Sequence, residues 1–349
     1  MKIMWALLTS AVLSGICVTS PANAAEPRKM IVPYTPLTGA STPFWIAIEE
    51  KLFQKYGLEI APLFISGGSS AIVPAMTSGQ FDIGAVGGGA VVLNRFSGGD
   101  LITIGAQTGV YTTDCFAKPE IKSIRDLKGK TIAVTRFGTS THFAGLSMLH
   151  LGGLKPTDVV FIQIGGSSEA IAGLSSGRVD AAMLGYPASD VALKKGFRQL
   201  TVLAKGEDGA FPTTAIAARE SWLKDSKNRE IALNFLRAFT DGLILARTEA
   251  ALSKKVLRKY TRVDDEAVLQ ATFEYYKKYF GDTLKVDEKS YANLLQLLDH
   301  PKAKDADPKR FFDNSLLEQI RRYESARGHR VCAHGTPESG DCRAEFLTR

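Results

Sequence analysis

Histidine and cysteine are scarce in this chain, five and four in 349 residues. None of them is grouped with carboxylates at ligand spacing, and no His-Glu-x-x-His occurs, so the sequence offers no metal centre. A Gly-x-Ser-x-Gly elbow is also missing, which removes the commonest serine-hydrolase signature. Low-complexity tracts are absent. Lysine and arginine outnumber aspartate and glutamate by 43 to 36, yet no basic stripe alternates with aromatics. That pattern describes a solvated surface with a mild pull on anions rather than a nucleic-acid binder. With 45% hydrophobic and 23% charged residues the composition is that of a soluble globular protein. The length exceeds one ordinary core, so two lobes of about 100–150 residues each are expected.

The cysteines sort by position. Cys17 falls in an opening stretch with Lys2, an apolar run from Ile3 to Val18, and Pro21-Ala22-Asn23-Ala24. A basic start, a short apolar core and an Ala-x-Ala site describe a secretory leader, residues 1–24, cut after Ala24. The run is too short for a membrane span, and Ile16 before Cys17 does not suit lipidation. Only Lys2 is charged in that stretch, so its removal takes the net charge from +7 to +6. Cys332 and Cys342 bracket a short Gly- and Pro-containing loop, and in an oxidising compartment a disulfide is expected there. A metal site using His334 lacks a fourth ligand. Cys115 stands alone in an apolar segment and reads as a buried small hydrophobe.

What the sequence has instead is an internal repeat. Gly67 to Asp82 reads GGSSAIVPAMTSGQFD, and Gly165 to Asp180 reads GGSSEAIAGLSSGRVD, 98 positions later. Each copy follows an apolar run, Ile60 to Ile65 or Val159 to Ile164, that reads as a buried strand feeding a helix. The hydroxyls are expected to cap the helix's first turn, and Ser-Gly to close it. Free N–H groups and the positive end of the helix dipole make such a junction a seat for anions.

In chain order, Met30 to Thr35 predicts a strand and Pro36 to Ser41 a polar loop. Thr42 then caps a helix that runs past Tyr56 to Gly57. Strands at Leu58 to Ile65, Phe81 to Val86 and Leu101 to Ala106 alternate with the first repeat helix and a short helix from Ala90 to Phe96. The second lobe replays the scheme with strands at Thr131 to Thr135, Val159 to Ile164 and Val179 to Leu184. A helix opened by Phe137 to Thr141 runs to Gly152, and Gly185-Tyr186-Pro187 stands where Gly87 to Gly89 stood. Such alternation predicts α/β architecture, two doubly wound parallel lobes with ligand loops at the carboxyl ends of the strands. The chain crosses between lobes near Thr108 to Asp114 and Gly206 to Thr214. The organisation is then 25–112 for the first lobe, 113–207 for the second, and 208–328 returning to the first. That last stretch forms a helical C-terminal extension with helices at Arg229 to Arg247, Asp264 to Phe280, Tyr291 to Leu298 and Phe311 to Tyr323, all expected on the first lobe. Residues 329–349 form a tail.

Ser78-Gly79-Gln80-Phe81-Asp82-Ile83-Gly84, the run Ile121 to Val134 (IKSIRDLKGKTIAV) and Gly177-Arg178-Val179-Asp180-Ala181-Ala182 carry a resemblance. In these residues and their order, from Arg28 to about Tyr323, the chain resembles type II periplasmic substrate-binding proteins of ABC transporters. The likeness is to the nitrate, sulfonate and taurine group, which shares its fold with thiamine-pyrimidine-precursor proteins. The resemblance implies a ligand cleft between the lobes, closure on a small anion, a membrane permease as partner, periplasmic residence and no cofactor. Its ligand loops correspond to Thr38, Gly39, Ser41 and Thr42; Gly68, Ser69 and Ser70; Gly87 and Gly88; Thr139, Ser140 and Thr141; Ser167; and Tyr186. Helix capping and tight turns account for these residue types as well.

Two other classes stay open on the sequence alone. The pyrimidine-precursor synthases of the same fold carry a cysteine-rich run with a reactive histidine and lysine, whereas this chain has only Cys115, so the resemblance implies a binding protein and not an enzyme. His142, in a helix's first turn, could face the cleft. A periplasmic sensor would use the same cleft to feed a signalling partner.

Overall fold

The computed structural model of the protein describes residues 26–205 and 209–326. The expected leader, the tail and the Cys332–Cys342 pair lie outside the described residues. Among the described residues ten strands form two five-stranded sheets. The first sheet holds β1 (Arg28–Tyr34), β2 (Leu58–Phe64), β3 (Ile83–Val86), β4 (Leu101–Val110) and, from far along the chain, β10 (Ala210–Arg219). Its order is β2-β1-β3-β10-β4. The second sheet holds β5 (Asp114–Ala117), β6 (Thr131–Val134), β7 (Val160–Gln163), β8 (Ala181–Leu184) and β9 (Arg198–Gln199), in the order β7-β6-β8-β5-β9.

The sequence repeat is a structural repeat. The helices Ser69–Thr77 and Ser167–Ser175 have the same length and, like β3 and β8, are displaced by the same 98 positions. In each copy the closing aspartate is a brace at the end of the sheet away from the loops. Asp82 pairs with Arg219 at 3.2 Å, and Asp180 with Lys118 at 2.7 Å. Asp180 also accepts from the backbone and hydroxyl of Thr131, at 3.0 and 2.9 Å. Burial pushes its carboxyl up, but Lys118 and Thr131 prevail and hold it at about 2.

Neither sheet is wholly parallel. β1 pairs parallel with β2 and β3, and β6 with β7 and β8. β10 runs antiparallel to β3 and β4, and β5 antiparallel to β8 and β9. The cause is the crossings. A strand that ends at the cleft points its carboxyl end there, but β5 and β10 begin at the cleft and run away from it. β4 is also longer than expected, continuing through Gln107–Val110 to pair with β10 across register shifts.

The helix expected to run from Thr42 to Gly57 is broken. Ser41 stands at its cap position, the helix covers Thr42–Glu49, and Lys51 turns left-handed before a further turn at Leu52–Lys55. Its apolar face buries Phe44, Trp45 and Phe53 against Phe235 and Phe239 of the helix Ser226–Thr248. That helix can lie close because Gly242 has no side chain: a Cβ there would sit 2.4 Å from the Pro43 carbonyl oxygen. The helices Ala250–Thr261, Glu266–Tyr279 and Ser315–Ala326 join the same first-lobe core. The first of these was not anticipated, since Ser226–Thr248 passes into it through Glu249 alone. Helix Glu288–Leu297 departs from the expected placement on the first lobe alone. Its Tyr291, Leu294 and Leu295 join a core that also holds Phe143 and Met148 of the second lobe and Tyr111 and Phe211 of the crossings.

Candidate functional site

The loops after β1, β2, β3, β6 and β8 meet between the two lobes, and at one point three helix N-termini come together. Gly87, following β3, precedes the helix Gly88–Phe96. Around it lie Ser69, opening the helix Ser69–Thr77 of the first lobe, and Ser140, opening the helix Ser140–Leu151 of the second. A Cβ on Gly87 would stand 3.2 Å from Ser140 Oγ and 3.4 Å from Ser69 Oγ. None of the three helices has a side-chain cap or an acidic residue in its first turn. Their first N–H groups and dipole ends therefore add at one place, which favours a negative charge there.

The serines behave differently from the capping expected of them. Gly68, at φ 75, holds the cap position of the first repeat helix. Ser69 Oγ accepts from the Gly87 amide at 2.7 Å, tying two loops of one lobe, and Ser70 Oγ donates to the Gly67 carbonyl at 3.3 Å. Ser140 Oγ donates to the Thr213 carbonyl at 3.0 Å, spanning from the second lobe to β10 of the first sheet. Thr139 and Thr141 are joined hydroxyl to hydroxyl at 3.0 Å, Thr139 donates to the Arg136 carbonyl, and Thr141 accepts from the Thr135 amide. In the second repeat copy Glu169 folds back over Gly166, its carboxylate 2.6 Å from where a Cβ would be. That carboxylate meets the N-terminus carrying Ser167, so the two copies are not equivalent toward an anion.

A second junction lies at the loop after β1. The Gly39 amide donates to the Tyr186 carbonyl of the second lobe at 3.1 Å. Tyr186 stacks on Tyr275 at 4.5 Å between centroids, and Lys194 pairs with Asp265 at 2.7 Å, so loop and helix of one lobe meet helix Glu266–Tyr279 of the other. Thr38, Ser41 and Thr42 are buried here. Ser41 Oγ donates to the Pro36 carbonyl and Thr42 Oγ1 to the Gly39 carbonyl, which fixes the loop. Tyr276 OH donates to Thr38 Oγ1 at 3.3 Å.

The expected residues thus gather in two groups: Gly68, Ser69, Gly87, Gly88, Thr139, Ser140 and Thr141 in one, and Thr38, Gly39, Ser41, Thr42 and Tyr186 in the other. Ser70 is exposed and Ser167 half-buried beside Glu169. His142 has its Nδ1 on the Gly138 amide at 3.3 Å and its ring among Phe137 and Phe161. Burial pushes that imidazole below its usual range. Residues not anticipated include Arg136, whose guanidinium lies over Gly67 across the junction, and Gln107, Thr213, Tyr275 and Tyr276. The polar pairs Gln107-Thr108 and Thr213-Thr214 inside apolar strands were the signal available for two of them. Among the described residues no cluster of three His, Cys, Asp or Glu side chains is placed to hold a metal ion. No described helix is long and apolar enough to cross a membrane.

Residues 39–250, well over half of the chain, match the NMT1/THI5-like family model. The chain belongs to the NMT1/THI5-like family. YtlA of Bacillus subtilis (strain 168), named as a binding protein, is 24% identical over 267 residues, 74% of this chain and 78% of its own length. The fold is shared with solved periplasmic binding proteins. The aliphatic sulphonate binding protein SsuA of Escherichia coli superposes with a TM-score of 0.62 at 22% identity, covering 77% of this chain and 90% of its own. The nitrate-binding protein NrtA of Synechocystis PCC 6803 does so with a TM-score of 0.68 at 14% identity, covering 85% and 89%. For this NMT1/THI5-like chain the fold class read from the sequence is therefore established, with the two antiparallel strands as its correction.

Proposed function

We propose that this protein is the periplasmic solute-binding component of an ABC importer. It captures a small organic anion, of the sulfonate, taurine or nitrate kind, between its lobes and delivers it to the permease. The observation that carries this reading is the meeting of three uncapped helix N-termini at Gly87, one of them from the opposite lobe. The names of SsuA and NrtA, which bind sulphonate and nitrate, support the same class. The groups around Gly87 and around Thr38, with Ser70 and Ser167 at the margin, are the proposed ligand-binding residues. Residues 1–24 serve as the leader, and no cofactor takes part.

Closure follows from contacts that cross between lobes, Ser140 to Thr213 and Gly39 to Tyr186. A ligand favours the closed form only by binding it better than the open one. Titration calorimetry with taurine, alkanesulfonates, nitrate, phosphonates and small carboxylates tests the reading. Saturable 1:1 binding of at least one anion is expected, and tight binding of a neutral or cationic solute with failure of every anion would overturn it.

A further inference from the structure

Arg136 reaches from the loop after β6 of the second lobe onto the loop after β2 of the first. A Cβ on Gly67 would stand 2.7 Å from its Nε, 2.8 Å from its Cζ and 2.9 Å from one Nη, so the guanidinium lies against the Gly67 backbone. The same two loops face each other further in, where a Cβ on Gly68 would stand 3.0 Å from Thr139 Cγ2 and one on Gly87 3.2 Å from Ser140 Oγ. Arg136 is therefore at the rim of the group around Gly87. Its main chain is fixed in its own lobe, the carbonyl accepting from the Thr139 amide at 3.3 Å and from Thr139 Oγ1 at 2.6 Å. The side chain alone makes the crossing.

Its charge is unmatched. Lys118, Arg219 and Lys194 are paired with Asp180, Asp82 and Asp265, but among the described residues no carboxylate pairs with Arg136. The guanidinium instead joins helix N-termini, which also carry positive charge, so nothing in the arrangement offsets it. The second repeat copy has the opposite character. Gly165, 98 positions after Gly67, has open space above it, and Glu169, standing where the first copy has Ala71, lays its carboxylate over Gly166. One copy thus receives a cation from the other lobe, and the other supplies its own anion. An anion seated at Gly87 supplies the countercharge that the first copy lacks, and it turns a repulsion across the closed lobes into an attraction.

We infer that Arg136 is a specificity-determining residue of the cleft: its guanidinium closes over the anion from the opposite lobe and binds the outer oxygens of the acidic group. This rests on the interlobe anion reading above and adds to it the residue that reads the charge. Helix N-termini favour negative charge of any shape, whereas the planar guanidinium fork matches paired oxygens at a fixed spacing.

The test is calorimetry on the full chain with taurine, ethanesulfonate, nitrate, ethylphosphonate and propionate, comparing the wild type with Arg136→Gln and Arg136→Lys. Arg136→Gln keeps a donor and loses the charge, and the best-bound anion is expected to bind it about ten- to hundredfold more weakly. Arg136→Lys keeps the charge without the fork and is expected to fall between, at least about threefold tighter than Arg136→Gln. Melting should be unchanged in both, because the side chain is exposed. If Arg136→Gln binds that anion as the wild type does, the inference is overturned and the anion reading stands. Equal losses in the two variants mean that the side chain merely covers Gly67, which overturns the inference as well. Failure of every anion to bind the wild type takes the anion reading and this inference down together.

Discussion

Replacing Ser69 by aspartate puts a fixed negative charge among the three helix N-termini. Ser69 is almost wholly buried, and its hydroxyl already accepts from the Gly87 amide at 2.7 Å. A carboxylate can keep that bond as acceptor, and asparagine keeps it without charge, so Ser69→Asn is the control. The three N-termini favour the new charge by roughly 0.3–1 kcal/mol each, set against the desolvation of a buried carboxylate. Melting of Ser69→Asp should therefore stay within about 1–2 kcal/mol of Ser69→Asn. Binding should separate the two sharply. A ligand anion seated on the same amides would lie about 5 Å from the carboxylate, and at an effective dielectric near 20 the repulsion is about 3 kcal/mol. That is on the order of a hundredfold loss of affinity. Calorimetry with whichever anion the wild type binds gives the measurement. If the two variants bind it equally well, the anion does not sit at these N-termini and the reasoning is refuted.

Other perturbations test the frame around the site. Asp180 is held at about 2, below the unfolded carboxylate value, so its contribution is present above about pH 4 and is lost as pH falls through 2. Asp180→Asn should accordingly lower stability by about 2 kcal/mol at pH 7 in urea unfolding, and the difference should close toward pH 2; a constant difference across that range contradicts the assignment. Gly242→Val would drive its side chain onto the Pro43 carbonyl, 2.4 Å from the Cβ position, and should cost about 1–3 kcal/mol or more, read as a lower melting midpoint. Ser140→Ala removes the hydrogen bond to Thr213 that spans the lobes and should weaken ligand binding about two- to tenfold with little change in melting; unchanged affinity would mean that the contact plays no part in closure.

Much of this architecture was legible because the repeat fixes it twice. Gly-Gly-Ser-Ser after an apolar run marked the strand-to-helix junctions, and the displaced helices and strands appear where the repeat puts them. Strand direction was not legible. The residues of β5 (Asp-Cys-Phe-Ala) and of β10 would serve a strand run in either direction, and only the crossing between lobes turns them antiparallel. The break at Lys51 was hidden for a related reason, since nothing in a lysine announces a left-handed turn. At the site, residue types pointed to the loops but not to the bonds. Ser69 and Ser70 suit a helix cap, yet Gly68 takes that position because only glycine adopts its φ of 75 without strain, which frees Ser69 to hold Gly87. Gln107 showed only as half of a polar pair inside an apolar strand, because what distinguishes it is its bond to the Ala40 carbonyl from a distant part of the chain.

The central claim is that a small organic anion is held between the lobes. Native mass spectrometry of the protein, purified without denaturation from the organism that makes it, tests this most directly. The expected spectrum shows a 1:1 adduct whose released mass is that of a small acid carrying a sulfonate, carboxylate or phosphonate group. Release of a neutral sugar, a simple cation or a lipid in its place would contradict the account.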